Sequence, residues 1–179
     1  AVAIYALMFW VSLRVYTARS PTLSGVKPLG WFMFLSLYGL ILSGGFMAGT
    51  DAGYSYPTWP LMGEAFVPEG YYANGWQSTF EGVATIHFNH RILAYGVSGL
   101  ILIVGLRSLR SETSEGGRSA AWMMLAILGI QLVLGITTVL SQVAIPIAAA
   151  HQLGAVLLLT AVLYWVHLQN DGNAKEALS

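Results

Sequence analysis

The feature that most constrains this chain is a set of long stretches without interior charge: Leu29 to Gly49, Ala120 to Leu140 and Ile147 to His167. Each is close to the ~20 apolar residues that an α-helix needs to cross the hydrocarbon core of a bilayer. Hydrocarbon offers no partner for a backbone N–H or C=O, so a spanning segment must satisfy both internally, and a helix does so. A fourth stretch, Val83 to Leu106, begins with the polar run HFNHR, His87 to Arg91, before turning apolar at Ile92. That helix brings chemistry into the membrane boundary. The first segment, Ala1 to Leu13, is apolar from its first residue and stops at Arg14. At about 1.5 Å per residue it is short for a span. It lacks the basic start and small-residue cleavage site of a secretory signal, and reads as the end of a truncated helix over residues 1–17. The expected fold is all-α and integral to a membrane. An antiparallel transmembrane four-helix bundle occupies residues 29–168, with the truncated helix before it, a connection at 50–82 and a tail at 169–179.

Composition removes other classes. The 179 residues are 56% hydrophobic and 9% charged, whereas a soluble domain has about 25% charged residues. A formal net charge of zero leaves no basic stripe to displace counterions from phosphates, so nucleic acid is excluded as a partner. Without cysteine there is no disulfide, thiolate metal site or cysteine nucleophile. Any metal centre must draw on His, Met or oxygen ligands.

Lys and Arg fall on alternate connections. Arg14, Arg19 and Lys27 follow the first segment, Arg107, Arg110 and Arg118 follow the third, and Lys175 lies in the tail. The long connection from Thr50 to Gly82 has none, and carries Asp51, Glu64, Glu69 and Glu81. The positive-inside rule therefore puts the basic connections and the tail in the cytoplasm or matrix, and the long acidic loop and the turn at Gln142 to Pro146 outside. That loop is rich in aromatics, GYSYPTWPLMG and VPEGYYANGW. Two compatible readings are an interfacial aromatic belt and a lid over a ligand site.

This orientation gives the histidines a depth. His90 lies about two turns into the third span and His151 about one turn into the fifth; both spans start outside, so the two sit near one membrane face. An ionisable residue within a span is costly unless paired or liganded, and faces the bundle interior. Two imidazoles at matched depth suit the axial positions of one haem. Ala94 follows His90 at i+4, and Gly154 and Ala155 follow His151 at i+3 and i+4. Such small residues leave room for a macrocycle, or else serve close helix packing. Packing is the favoured reading for Gly45, Gly49, Gly129 and Gly135. Arg91 either snorkels to the outer interface or pairs bidentately with an anionic group such as a propionate. His87, one turn above His90, is a second-shell donor, an alternative ligand or an interfacial histidine. His167, at the far end of the last span, reads as an interfacial anchor. Zinc would require three or four converging ligands, and no acidic residue lies on these faces, so haem fits the inventory better.

The segments GGFMAGTDAGYSYPTWPLMG (Gly44 to Gly63), VPEG from Val67, FNHRILAY (Phe88 to Tyr95), LGITTVL from Leu134 and HQLGA from His151 together resemble the C-terminal half of the haem A synthase family, alphaproteobacterial and mitochondrial type. The resemblance implies an eight-helix membrane oxidoreductase of two similar halves, acting in the bacterial inner membrane or its mitochondrial equivalent. It would oxidise the methyl group of haem O to the formyl group of haem A for cytochrome c oxidase. It implies that His90 and His151 are axial ligands of a haem b cofactor, with Arg91 a candidate propionate partner. The catalytic residues would then lie in an N-terminal half preceding this chain, which alone would not turn over. The lipid bilayer, haem O synthase and an electron-transfer protein are implied partners. Position 87 is commonly Gln in the family, so no role transfers to His87. The cysteine pair of the Gram-positive type is absent. Alternatives from the residues alone are a bis-His cytochrome that only transfers electrons, and a haem-free membrane transporter or assembly subunit.

Overall fold

The structure, a computed structural model, describes residues 1–17, 28–111 and 115–176, with side chains described as far as Gln169. Arg19, Lys27 and the side chain of Lys175, which enter the charge argument above, lie outside this set. The described chain is helical: α1 (Val2–Tyr16), α2 (Pro28–Gly49), the single-turn α3 (Ser78–Glu81), α4 (Val83–Ser111), α5 (Glu115–Leu140) and α6 (Ile145–Glu176). The only pairing of β type among the described residues is an isolated bridge between Met62 and Ala65. Four helices, α2, α4, α5 and α6, are long and apolar enough to cross a membrane, whereas α1 is shorter. The protein is an all-α integral membrane protein.

The helix ends follow from local chemistry. Pro28 opens α2, where a missing N–H leaves no bond unmade. At its other end Thr50 folds its hydroxyl back onto the Phe46 carbonyl at 2.7 Å. Gly82 separates α3 from α4 in a turn so tight that a Cβ there would lie 2.9 Å from the Ser78 carbonyl oxygen. The α5–α6 turn places Gln142 and Val143 at φ +52° and +59°, the left-handed region that a β-branched residue rarely enters. Large apolar side chains such as Phe32, Leu102, Trp122, Val133 and Leu153 point outward. That is the expected surface of a helix solvated by lipid.

The helices pack in a ring. α2 lies against α4, α4 against α5, α5 most extensively against α6, and α6 back against α2, with α1 on the outside of α6. α4 and α6 are therefore diagonal partners across the bundle. The apolar core fills only the half away from the 50–82 loop: Met33 and Leu37 of α2, Val97 and Ile101 of α4, Met124 and Leu128 of α5, Leu159 and Val162 of α6. Gly105 lets α4 meet α5 there, since a Cβ on it would sit 2.6 Å from Leu125 Cδ2. α1 is tied to α6 by the Tyr5 hydroxyl, 2.6 Å from Thr160 Oγ1. His167 belongs to this seam and not to an exposed interface. It is 1% exposed, edge-on to Trp10 at 6.0 Å, with Thr17 Oγ1 3.4 Å from its Nε2. Placing α1 beside α6 buries what the sequence reading took for an interfacial anchor.

Candidate cofactor site

His90 and His151 occupy the loop half of the bundle, where the side chains are less tightly packed. His90 stands seven positions after Val83 at the start of α4, and His151 six after Ile145 at the start of α6. The two helices run the same way from the loop end, so the histidines share a depth. They stand on helices that are diagonal in the ring. Both are half-buried, as are Ser43, Gly135 and Ala155 around them, in contrast to the closed core below.

Each imidazole rests on the backbone of a neighbouring helix. His90 meets α2: a Cβ on Gly44 would lie 3.4 Å from its Cε1, and its Nδ1 is 2.7 Å from Ser43 Oγ. His151 meets α5: a Cβ on Gly135 would lie 2.9 Å from its Cε1. Its Nδ1 is buried beside the Gln131 backbone. Gln131, one turn before Gly135, donates from Nε2 to the His151 carbonyl at 2.9 Å, while its Oε1 is seated against Gly154. Ser43 and Gln131 are functional candidates that sequence reasoning missed. A polar residue inside an otherwise apolar span is the signal that marks them.

The glycines divide by what they touch. Gly45, Gly49 and Gly129 have open space where a side chain would go, so the packing expected of them is not made among the described residues. Gly135 is a bed for His151. The room at Gly154, read as space for a macrocycle, is filled by Gln131, whose amide needs somewhere to sit between α5 and α6.

Arg91 does something the sequence did not disclose. It is 7% exposed, so it does not snorkel. Its Nε donates to His87 Nε2 at 3.0 Å, its Nη2 to the carbonyls of Tyr56 at 3.0 Å and Thr58 at 2.8 Å, and its Nη1 to that of Leu61 at 3.3 Å. The fork that a bidentate propionate contact would use is thus occupied by the loop, leaving one of five N–H donors. His87 is fully buried. Its Nε2 lone pair is taken by Arg91, and Tyr56 covers its ring edge-on at 6.1 Å. These contacts make residues 56–61 a cap over the loop end of α4. The same loop, at Gly53, reaches the α5–α6 turn, where a Cβ would meet Val143 Cγ2 at 3.0 Å. Among the described residues, no group of three His, Asp or Glu side chains converges on a metal-sized point.

Residues 1–163 match the COX15-CtaA family, described as cytochrome oxidase assembly protein. Proteins named heme A synthase are similar over most of the chain. That of Nitrosospira multiformis is 38% identical over 174 residues, covering 93% of this chain and 49% of the relative. That of Granulibacter bethesdensis is 39% identical over 171 residues, covering 93% and 45%. That of Rhodopseudomonas palustris is 32% identical over 185 residues, covering 99% and 50%. The chain thus spans about half the length of the curated relatives it matches. No solved structure matches it. With its helices, its diagonal histidines and a match from the first residue to position 163, the chain belongs to the COX15-CtaA family of cytochrome oxidase assembly proteins.

Proposed function

We propose that this chain is the haem b-binding half of a haem A synthase, an oxidoreductase that converts the methyl group of haem O to the formyl group of haem A for cytochrome c oxidase. The observation that carries the reading is the pair His90 and His151, set at one depth on diagonal helices and bedded on Gly44 and Gly135. The residues present fit the group. Two imidazoles from different helices could hold a haem between them, and the loop half brings His90 of α4 and His151 of α6 to one depth. Bound there, haem b supplies one-electron redox chemistry, tuned by ligand identity, hydrogen bonding and burial. His90 and His151 would hold it through their imidazoles. Arg91 and the cap at residues 56–61 close the loop end against water, and the one remaining Arg91 N–H is available to a propionate. His87 supports Arg91 and does not ligate.

On this reading the catalytic groups lie in the part of the relatives that this chain does not cover. Residues 29–168 form the haem-binding bundle, with the C-terminal end of α6 on the cytoplasmic side. The loop 50–82 faces the outer side of a bacterial inner membrane or its mitochondrial equivalent. Haem O and haem A, haem O synthase and an electron-transfer protein are the proposed partners of the full-length protein.

The test is a reduced-minus-oxidised spectrum of the purified chain reconstituted with haem b. A bis-imidazole α-band, lost in both His90→Ala and His151→Ala, supports the reading, and its retention in both variants overturns it. Haems extracted from cells carrying the full-length gene then separate a synthase from a cytochrome that only transfers electrons, since only the former yields haem A.

A further inference from the structure

We propose that Ser43 is a positioning residue that fixes the tautomer of His90, holding its proton on Nδ1 so that Nε2 presents a lone pair to the iron. The inference rests on the haem-binding reading and deepens it.

The argument is a count of protons. Ser43 Oγ lies 2.8 Å from the Leu40 carbonyl oxygen and 2.7 Å from His90 Nδ1. A hydroxyl has one proton to give and two lone pairs to receive with, whereas a carbonyl oxygen can only accept. Both contacts are made together in one arrangement alone. Ser43 donates to Leu40, and His90 Nδ1–H donates to Ser43. A neutral imidazole carrying its proton on Nδ1 leaves Nε2 bare, which is the form that binds a metal. The opposite tautomer would break the Leu40 contact and place a proton where the iron must go.

The surroundings keep this arrangement in place. Leu40 and Ser43 are three residues apart on α2, so the hydroxyl is returning to its own helix, a common geometry for serine within a helix. The His90 ring lies at van der Waals distance from Gly44, whose Cβ would be 3.4 Å from Cε1, so the ring is seated as well as bonded. A ligating histidine that donates its second N–H is oriented and made more basic by the acceptor, and Ser43 is in place to be that acceptor for His90.

The experiment uses the full chain loaded with haem b, comparing Ser43→Ala, Ser43→Thr and, as a control, Thr50→Val, whose hydroxyl bonds Phe46 on the same helix. Loss of the acceptor makes His90 a weaker donor to ferric iron. Ser43→Ala is expected to weaken haem b binding about 10- to 100-fold, the usual effect of losing such a partner. It should also raise the midpoint potential and shift the g-values of the ferric low-spin electron paramagnetic resonance spectrum. Ser43→Thr restores all three, and Thr50→Val matches the wild type. A Ser43→Ala protein with wild-type affinity, potential and g-values overturns the proposal while leaving the haem reading intact, provided His90→Ala and His151→Ala still lose the bis-imidazole spectrum. Equal defects in Ser43→Ala and Ser43→Thr overturn it too, since bulk and not the hydroxyl would then matter. A wild-type chain that gives no bis-imidazole spectrum removes the haem reading and this proposal together.

Discussion

Replacing Gly135 with Ala tests whether His151 is seated where the structure puts it. The added methyl would lie 2.9 Å from Cε1 of His151, with Nε2 and Nδ1 at 3.5 and 3.6 Å. Ordinary contact starts at 3.4 Å, so the ring must retreat by 3.4 − 2.9, or about 0.5 Å. The helices are held together one turn away, where Gln131 of α5 donates to the His151 carbonyl of α6 and packs against Gly154. Overpacking of this kind costs about 1–3 kcal/mol, and a ligand displaced by about 0.5 Å is at the limit of useful preorganisation. At about 1.4 kcal/mol per factor of ten, haem b affinity should fall roughly 10- to 100-fold. Gly129→Ala is the matched control. It lies on the same helix and faces open space, so it should bind normally and gain up to about 1 kcal/mol of helix propensity. Titration of haem b into the purified variants, read at the reduced α-band, gives the ratio. Equal affinity and identical spectra for the two would refute the seating of His151 on Gly135.

Three further outcomes are expected. Arg91→Ala should free the cap, because hydrogen bonds from a charged donor are worth about 1.5–3 kcal/mol each and those to Tyr56, Thr58 and Leu61 go together. A net loss of about 3 kcal/mol would speed limited proteolysis within residues 55–63 roughly 100-fold. Arg91→Lys should recover only part, since one ammonium cannot reproduce the fork. Gly105→Ala forces a methyl onto Leu125 and should destabilise the bundle by about 1–3 kcal/mol in thermal unfolding, while the folded fraction keeps a normal haem spectrum. His87→Ala should keep the bis-imidazole α-band, because the nitrogen facing Arg91 is already used. Loss of that band with a folded bundle would return His87 to the list of ligands.

The spans and the shared depth of the two histidines were legible because both follow from one-dimensional patterns: runs without charge, and distance from a helix start. The ring order was not. α4 and α6 face each other only because α2 and α5 pack between them, and nothing in the local sequence states which helices are neighbours. The same limit explains His167. Its depth was readable, but its burial depends on α1 lying against α6. Arg91 was misjudged for a related reason. Its alternatives were weighed against lipid and ligand, whereas its partners are backbone carbonyls of the loop at positions 56, 58 and 61, which leave no trace in side-chain chemistry. Ser43 and Gln131 were visible as polar residues in apolar spans, but their relation to the histidines is a matter of helix facing.

In a bilayer the hydrophobic effect does not drive helices together, because lipid tails are as apolar as the core. Close packing and polar ties must do it. Away from the loop both are present: Gly105 takes Leu125, and Trp165 Nε1 of α6 donates to Ser108 Oγ of α4 at 3.2 Å. In the loop half the ties are Ser43 to His90, Gln131 to the His151 carbonyl and Arg91 to the cap, and the first two end on the candidate ligands themselves. Each joins adjacent helices, α2 to α4 and α5 to α6. Neither joins α4 to α6. A haem held by His90 and His151 would add a diagonal link at the loop end to the one that Trp165 and Ser108 make away from it, and so should stabilise the whole bundle. Free haem b at about 100 times its dissociation constant should add about 2.7 kcal/mol, seen as a concentration-dependent rise in the unfolding midpoint. His90→Ala and His151→Ala should each abolish the rise, since a single ligand cannot bridge the diagonal. A rise that survives in either variant would mean that the macrocycle is held by contacts on one wall of the slot alone.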